Sequence, residues 1–138
     1  MITLIVGKKG SGKTKKLIER AVEAVKTSNG NVIVIEKGSK LTYDLPHQAR
    51  LVDTDAYHIS GADVLFGFVS GICAGNYDVT DIFVDSTLKI IGQDMEVFKA
   101  FAEKMNSLAQ RSEVKITLLV SADPSELPEG IDSVAENV

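Results

Sequence analysis

The sequence predicts an α/β fold built on a mainly parallel sheet. Apolar, β-branched runs recur along the chain and alternate with segments whose apolar residues keep helical spacing. That alternation produces parallel strands joined by right-handed crossovers. The first run, Ile2-Thr3-Leu4-Ile5-Val6, passes directly into a glycine-rich stretch, Gly7-Lys8-Lys9-Gly10-Ser11-Gly12-Lys13-Thr14. Leu17, Ile18, Ala21, Val22 and Val25 then mark one face of a helix.

The remaining elements follow in order. Thr27-Ser28-Asn29-Gly30 stops the first helix and turns the chain. Asn31-Val32-Ile33-Val34-Ile35-Glu36 is a second buried strand. Residues 37–48 are polar and loop-like, with Gly38, Asp44 and Pro46, and form the best segment for a mobile or partner-contacting loop. Arg50-Leu51-Val52-Asp53 has the pattern of a short strand. From Ala62 to Gly75, Leu65, Phe68, Val69 and Ile72 share a helical face, and Gly75-Asn76 ends it. Asp81-Ile82-Phe83-Val84-Asp85 is a third strong strand with an acid at its end. Residues 94–110 form an amphipathic helix carrying Phe98, Phe101, Met105 and Leu108 on one side. Val114 to Val120 is another apolar strand, and residues 131–138 supply a final edge strand.

Gly7 to Thr14 is a complete G-x-x-x-x-G-K-[ST] loop, set between a strand and a helix as a phosphate cradle requires. Gly7, Gly10 and Gly12 give backbone freedom that lets successive N–H groups turn inward on an anion. Lys8, Lys9 and Ser11 complete the loop. The helix starting near Lys13 adds unpaired N–H groups and a positive dipole end. Lys13 reaches the outer phosphates and the Thr14 hydroxyl binds Mg²⁺ in such a site. Lys8, Lys9, Lys15 and Lys16 cluster around the loop, and a charge run of this kind is more often a solvated face.

Composition narrows the partners. A chain of 138 residues suits one domain, residues 1–138, with 44% hydrophobic residues to fill its core. A net charge of −4 argues against a global basic field that would favour nucleic acid or membrane. Aromatic residues are 6% and Trp is absent, so no base-stacking platform is evident. Cys73 is the one cysteine, which excludes a disulfide framework or a zinc cluster and suggests a small core residue. Met1 enters a strand with no basic region before it, and no apolar run is long enough to span a bilayer. The expectation is a soluble, cytoplasmic protein. His47 and His58 have no companions for a metal site or triad and are expected on the surface.

In parallel α/β sheets, ligands bind at the carboxyl ends of strands. Gly7, Glu36, Asp85 and Ser121 all fall at or just after predicted strand ends, so one sheet edge should hold them. Asp85 there can hold Mg²⁺, usually through water, beside Thr14. Hydrolysis also needs a group that orients water. The residue after Asp85 is Ser86, not the glutamate common in phosphate-loop ATPases, which leaves Glu36 as the substitute.

With its phosphate loop, "VIVIE" strand, "DIFVDS" strand and "ITLLVSAD" strand, the chain resembles the P-loop NTPase superfamily, in particular a minimal RecA-like ATPase core. The resemblance covers roughly residues 1–123. It implies a three-layer α/β/α architecture, with Glu36 as the catalytic glutamate, Lys13 as the catalytic Walker A lysine, Asp85 as the Walker B aspartate and Ser121 as the γ-phosphate sensor. It also implies ATP and Mg²⁺ as cofactors. Ser121 is shorter than the usual Gln or Asn sensor. The chain is too short for an N-terminal assembly segment, its loops after Ser86 and Ser121 look short for DNA binding, and Arg20, Arg50 and Arg111 offer no obvious finger for a neighbouring site.

Three activities remain open. The first is Mg²⁺-dependent ATP binding with slow hydrolysis. The second is a nucleoside-type kinase, since "MITLIVGKKGSGKTKKLIERA" is also similar to the start of type II thymidine kinases, although Ser86 and the single cysteine depart from them. The third is a non-catalytic ATP sensor within a larger assembly, with a protein partner or a second copy of the chain. The loop reads phosphates, so base identity stays open, although no Asn-Lys-x-Asp guanine motif occurs.

Overall fold

A computed structural model describes residues 1–138. Six parallel strands form one sheet: β1 (Ile2–Gly7), β2 (Asn31–Glu36), β3 (Ala49–Asp53), β4 (Val79–Val84), β5 (Lys115–Ser121) and β6 (Ala135–Asn137). Their spatial order is β3-β2-β4-β5-β1-β6, and every neighbouring pair runs parallel. The central strands are covered on both faces, which is why β2 and β5 read as unbroken apolar runs. The two edge strands are short, and β6 ends in the exposed polar residues Glu136 and Asn137.

Helix α1 (Lys13–Thr27) covers one face, with Leu17, Ala21 and Ala24 packed on Ile5, Val34, Phe83 and Leu119. Helices α2 (Ala62–Gly75), α3 (Thr87–Ile91) and α4 (Met95–Ser112) cover the other. The larger core lies beneath α2 to α4 and includes Leu65, Val69, Phe98, Phe101 and Met105. The architecture is therefore three layers, α1 against the sheet and α2 to α4 behind it.

The elements depart from the sequence expectations in four places. Strand β4 begins at Val79 and ends at Val84, so Asp85 follows the strand. The five-residue helix α3 has no amphipathic period to reveal it, because all its residues but Lys89 are buried. The final strand is confined to Ala135–Asn137 and is preceded by a 3₁₀ turn at Ile131–Ser133. The 37–48 loop is anchored: Leu41 is 2% exposed and packs with Leu17 and Val34 under the α1 layer. Cys73 is buried on α2, and His47 and His58 are exposed. No helix is long and apolar enough to cross a membrane.

Candidate functional site

Gly7 ends β1, Glu36 ends β2, Asp85 follows β4 and Ser121 ends β5, so all four stand on the carboxyl edge of the sheet. Gly7 and Ser121 are register partners, and the Ala122 N–H donates to the Gly7 carbonyl at 3.1 Å. The Asp85 N–H donates to the Ile35 carbonyl at 2.8 Å, tying the turn after β4 to the end of β2.

Helix α1 begins at this edge without the usual cap. Its N-cap is Gly12, which has no side chain to accept the first N–H groups, whereas Asp94 caps α4 by accepting from the Glu96 N–H at 2.9 Å. No acid occupies the first turn of α1, where Lys13, Lys15 and Lys16 crowd the positive end of the helix dipole. A helix start with exposed donors and added cations lacks an anion of its own. Gly10 and Gly12 sit at φ 85° and 88°, in the left-handed region. Gly7 differs from the expectation of unusual backbone freedom, because its φ is ordinary. What it supplies is space, since a Cβ there would collide with the Ser11 hydroxyl.

A cleft of about 220 Å³ opens over this edge. From the loop and α1 it takes Lys9, Gly10, Lys13 and Thr14; from the strand ends it takes Glu36, Asp85 and Ser121. Gly7, Lys8, Ser11 and Gly12 shape the loop behind it and do not line it. The Ser11 N–H donates to the Lys8 carbonyl at 3.1 Å, and Lys8 pairs with Asp123 at 3.3 Å. A larger cavity of about 740 Å³ lies at the opposite, amino edge, among Thr3, Glu23, Asp81, Lys115 and Glu136. It gathers acids and bases alike and no helix N-terminus, so the smaller cleft carries the more specific chemistry.

Three buried ionisable groups meet in the cleft. Lys13 is 8% exposed, and its ammonium donates to the Lys8 carbonyl at 3.0 Å. Burial lowers its pKa, against the opposing pull of Asp85. Asp85 is 6% exposed and its Oδ1 accepts the Ser86 N–H at 2.9 Å. Burial raises its carboxyl above the usual range, while that hydrogen bond and the charges of Lys89, Lys13 and Lys40 resist the rise. Glu36 is 2% exposed, and its Oε1 accepts the Leu41 N–H at 3.2 Å. Its pKa is also raised, first by burial, then by the nearby carboxylates of Asp85 and Asp53; the Leu41 N–H and Lys40 oppose this.

Ser86 adopts φ 60°, a left-handed conformation uncommon outside glycine, as the N-cap of α3. The β4 ladder ends at Val84, and this turn leads the chain away immediately after Asp85. The cleft also contains Lys37, Lys40 and Lys89, which the motif and strand-end rules do not reach. Their signal is positional: Lys37 and Lys40 follow Glu36 within four residues, and Lys89 stands four after Asp85. No group of three or more His, Cys, Asp or Glu side chains forms a metal cluster.

Comparison with known proteins identifies the fold. No family model matches the sequence, and no curated protein matches it. Among solved structures the chain is similar to the pCW3 conjugation coupling protein TcpA, in its monomer form with ATPγS, at 15% identity and a TM-score of 0.56. The match covers 96% of this chain and 46% of that one, so the chain spans less than half the length of TcpA. At this identity the shared property is the fold, three α/β/α layers around a parallel sheet.

Proposed function

We propose that the chain is an ATP-binding domain, residues 1–138, that holds Mg-ATP in the carboxyl-edge cleft and hydrolyses it slowly. The observation that carries this reading is the meeting of Lys13, Thr14, Glu36 and Asp85 in one cleft beside an uncapped helix N-terminus. Loop N–H groups and Lys13 bind the phosphates and stabilise charge on the transferring phosphoryl group. Thr14 and Asp85 supply the hydroxyl and carboxylate that Mg²⁺ takes alongside water and phosphate oxygens. That donor set suits a shared ion of this kind, since the protein alone offers no acidic cluster. Glu36 orients water and Ser121 faces the terminal phosphate. The ATPγS bound by the structurally similar TcpA supports ATP as the ligand.

One observation favours a second reading, ATP-dependent sensing without turnover. The Glu36 carboxylate is engaged by the Leu41 N–H, which ties the 37–48 loop to the group assigned to water. Phosphate release from Mg-ATP by the purified chain, with Lys13→Ala in parallel, separates the two. Release above background that disappears in the variant identifies hydrolysis at this site. ATP binding with equal background rates in both proteins identifies a sensor.

A further inference from the structure

The cleft is richer in cations than the phosphate loop requires. Lys9, Lys13, Lys37, Lys40 and Lys89 line it against two acids, Glu36 and Asp85, in a chain whose net charge is −4. Lys37 is paired with Asp55 at 2.7 Å, and Lys9 and Lys13 belong to the phosphate loop, which leaves two cleft lysines from other elements. Lys40 and Lys89 form no ion pair, the three in the molecule being Lys8–Asp123, Lys37–Asp55 and Lys104–Asp63.

Both unpaired lysines are launched from fixed backbone. Lys40 precedes Leu41, whose side chain is buried beneath the α1 layer and whose N–H is held by Glu36. Lys89 is the exposed residue of α3, where Thr87, Leu88, Ile90 and Ile91 are all buried. The two therefore flank the acids from opposite elements, the β2–β3 loop and α3. Their charges act on Asp85, and that of Lys40 on Glu36 as well. Within the nucleotide reading, the inner phosphates lie in the Gly7–Thr14 loop, and the outermost projects toward the acids that serve Mg²⁺ and water. A lysine ammonium on a flexible stem reaches a phosphate oxygen as a point charge.

We propose that Lys40 and Lys89 contact the terminal phosphate and make the site discriminate a nucleoside triphosphate from a diphosphate. They supply positive charge there from the chain's own β2–β3 loop and α3. The inference rests on the nucleotide reading of the cleft and adds to it the pair of residues that senses the last phosphate.

The test is calorimetric titration of the full chain with Mg-ADP and with a non-hydrolysable Mg-ATP analogue, for wild type, Lys40→Met/Lys89→Met and Lys40→Arg/Lys89→Arg. Methionine keeps the apolar stem and removes the charge. Both side chains are exposed, and circular dichroism checks that the fold is kept. The Met variant should lose about tenfold or more in affinity for the triphosphate, the effect of losing a charge-assisted phosphate contact. Its ADP affinity should stay within about twofold, and the Arg variant should recover most of the loss. Equal loss for both nucleotides, or loss for neither, overturns the proposal while leaving the nucleotide reading intact. A wild-type chain that binds neither nucleotide overturns the reading and the proposal with it.

Discussion

Glu36 is a carboxylate with 2% of its surface exposed, and its surroundings only partly compensate the charge. One backbone N–H and Lys40 favour ionisation; burial, Asp85 and Asp53 oppose it more strongly. A raised pKa has a definite consequence for stability. Below the unfolded value, near 4.5, the group is neutral in both states and costs nothing; above its folded pKa the ionised form weighs against the fold. Glu36→Gln keeps the acceptor for the Leu41 N–H and removes the charge. It should therefore stabilise the nucleotide-free protein at pH 7, raising its urea midpoint. That gain should fade as the pH falls toward 4.5. The same change should abolish ATP turnover and leave ATP binding within a few-fold. Urea unfolding at pH 7 and pH 4.5, with phosphate release measured alongside, checks both halves. A variant that turns over ATP at the wild-type rate removes Glu36 from the chemistry, and one less stable at pH 7 contradicts the electrostatic account. Lys40 and Lys89 mark the boundary of what single residues reveal in a sequence. The phosphate loop announces itself by pattern and the acids by their place at strand ends, but Lys40 and Lys89 are marked only by standing four residues after Glu36 and Asp85, a spacing that by itself does not bring a lysine over a cleft.

The elements differ in how visible they are, and the reason is burial geometry. β2 and β5 are apolar almost throughout because both faces are covered, and α4 shows a clean stripe because one face is. Helix α3 is five residues with four buried, so no period distinguishes it from a strand or loop. The sequence predicts this strand from Asp81 to Asp85, whereas the β4 ladder spans Val79–Val84 and the left-handed turn at Ser86 leads the chain away with Asp85 beyond the strand end. Joints between elements carry their own constraints. The Ser28 hydroxyl bonds the Thr80 hydroxyl and accepts the Gly30 N–H at 2.9 Å, fixing the exit of α1 onto the start of β4. At Gly30 a Cβ would run into the Asp78 backbone carbonyl, which also accepts the Asn31 N–H at 2.7 Å. Backbone cannot step aside as a side chain can, so Gly30→Ala must push β2 away from β4 at their amino ends. The expected cost is about 1–3 kcal/mol, the range for overpacking a fixed contact. The cleft is at the far end of both strands, so ATP affinity should change little. A Gly30→Ala protein with unaltered urea midpoint would show that this joint yields freely.

At the scale of the whole molecule, the site is distributed across the sheet. β5 lies between β1 and β4, and β2 lies beyond β4, so the loop, Ser121, Asp85 and Glu36 come from four different strand ends. With strands about 4.8 Å apart, a ligand touching all of them bridges most of the sheet's carboxyl edge. It also joins the first element of the chain to elements on the other side of the fold. Such a ligand binds the folded state and not the unfolded chain, so its binding free energy adds to global stability. At a concentration about 100 times its Kd, Mg-ATP should contribute roughly 2.7 kcal/mol. For a domain of this size that raises Tm by roughly 10 °C. Mg²⁺ chelation should cut the shift, as should Thr14→Ala or Asp85→Asn, because each removes part of the donor set assigned to the ion. Lys13→Ala should eliminate it. In Lys13→Ala the burial cost of the ammonium is removed together with its hydrogen bond to the Lys8 carbonyl and its charge beside Asp85, so each protein's ligand shift is measured from its own nucleotide-free Tm. Differential scanning calorimetry of the four proteins, with and without Mg-ATP, measures all of this. A shift that survives in Lys13→Ala would place the nucleotide elsewhere on the molecule, and the mixed-charge cavity at the amino edge would then be the next surface to test.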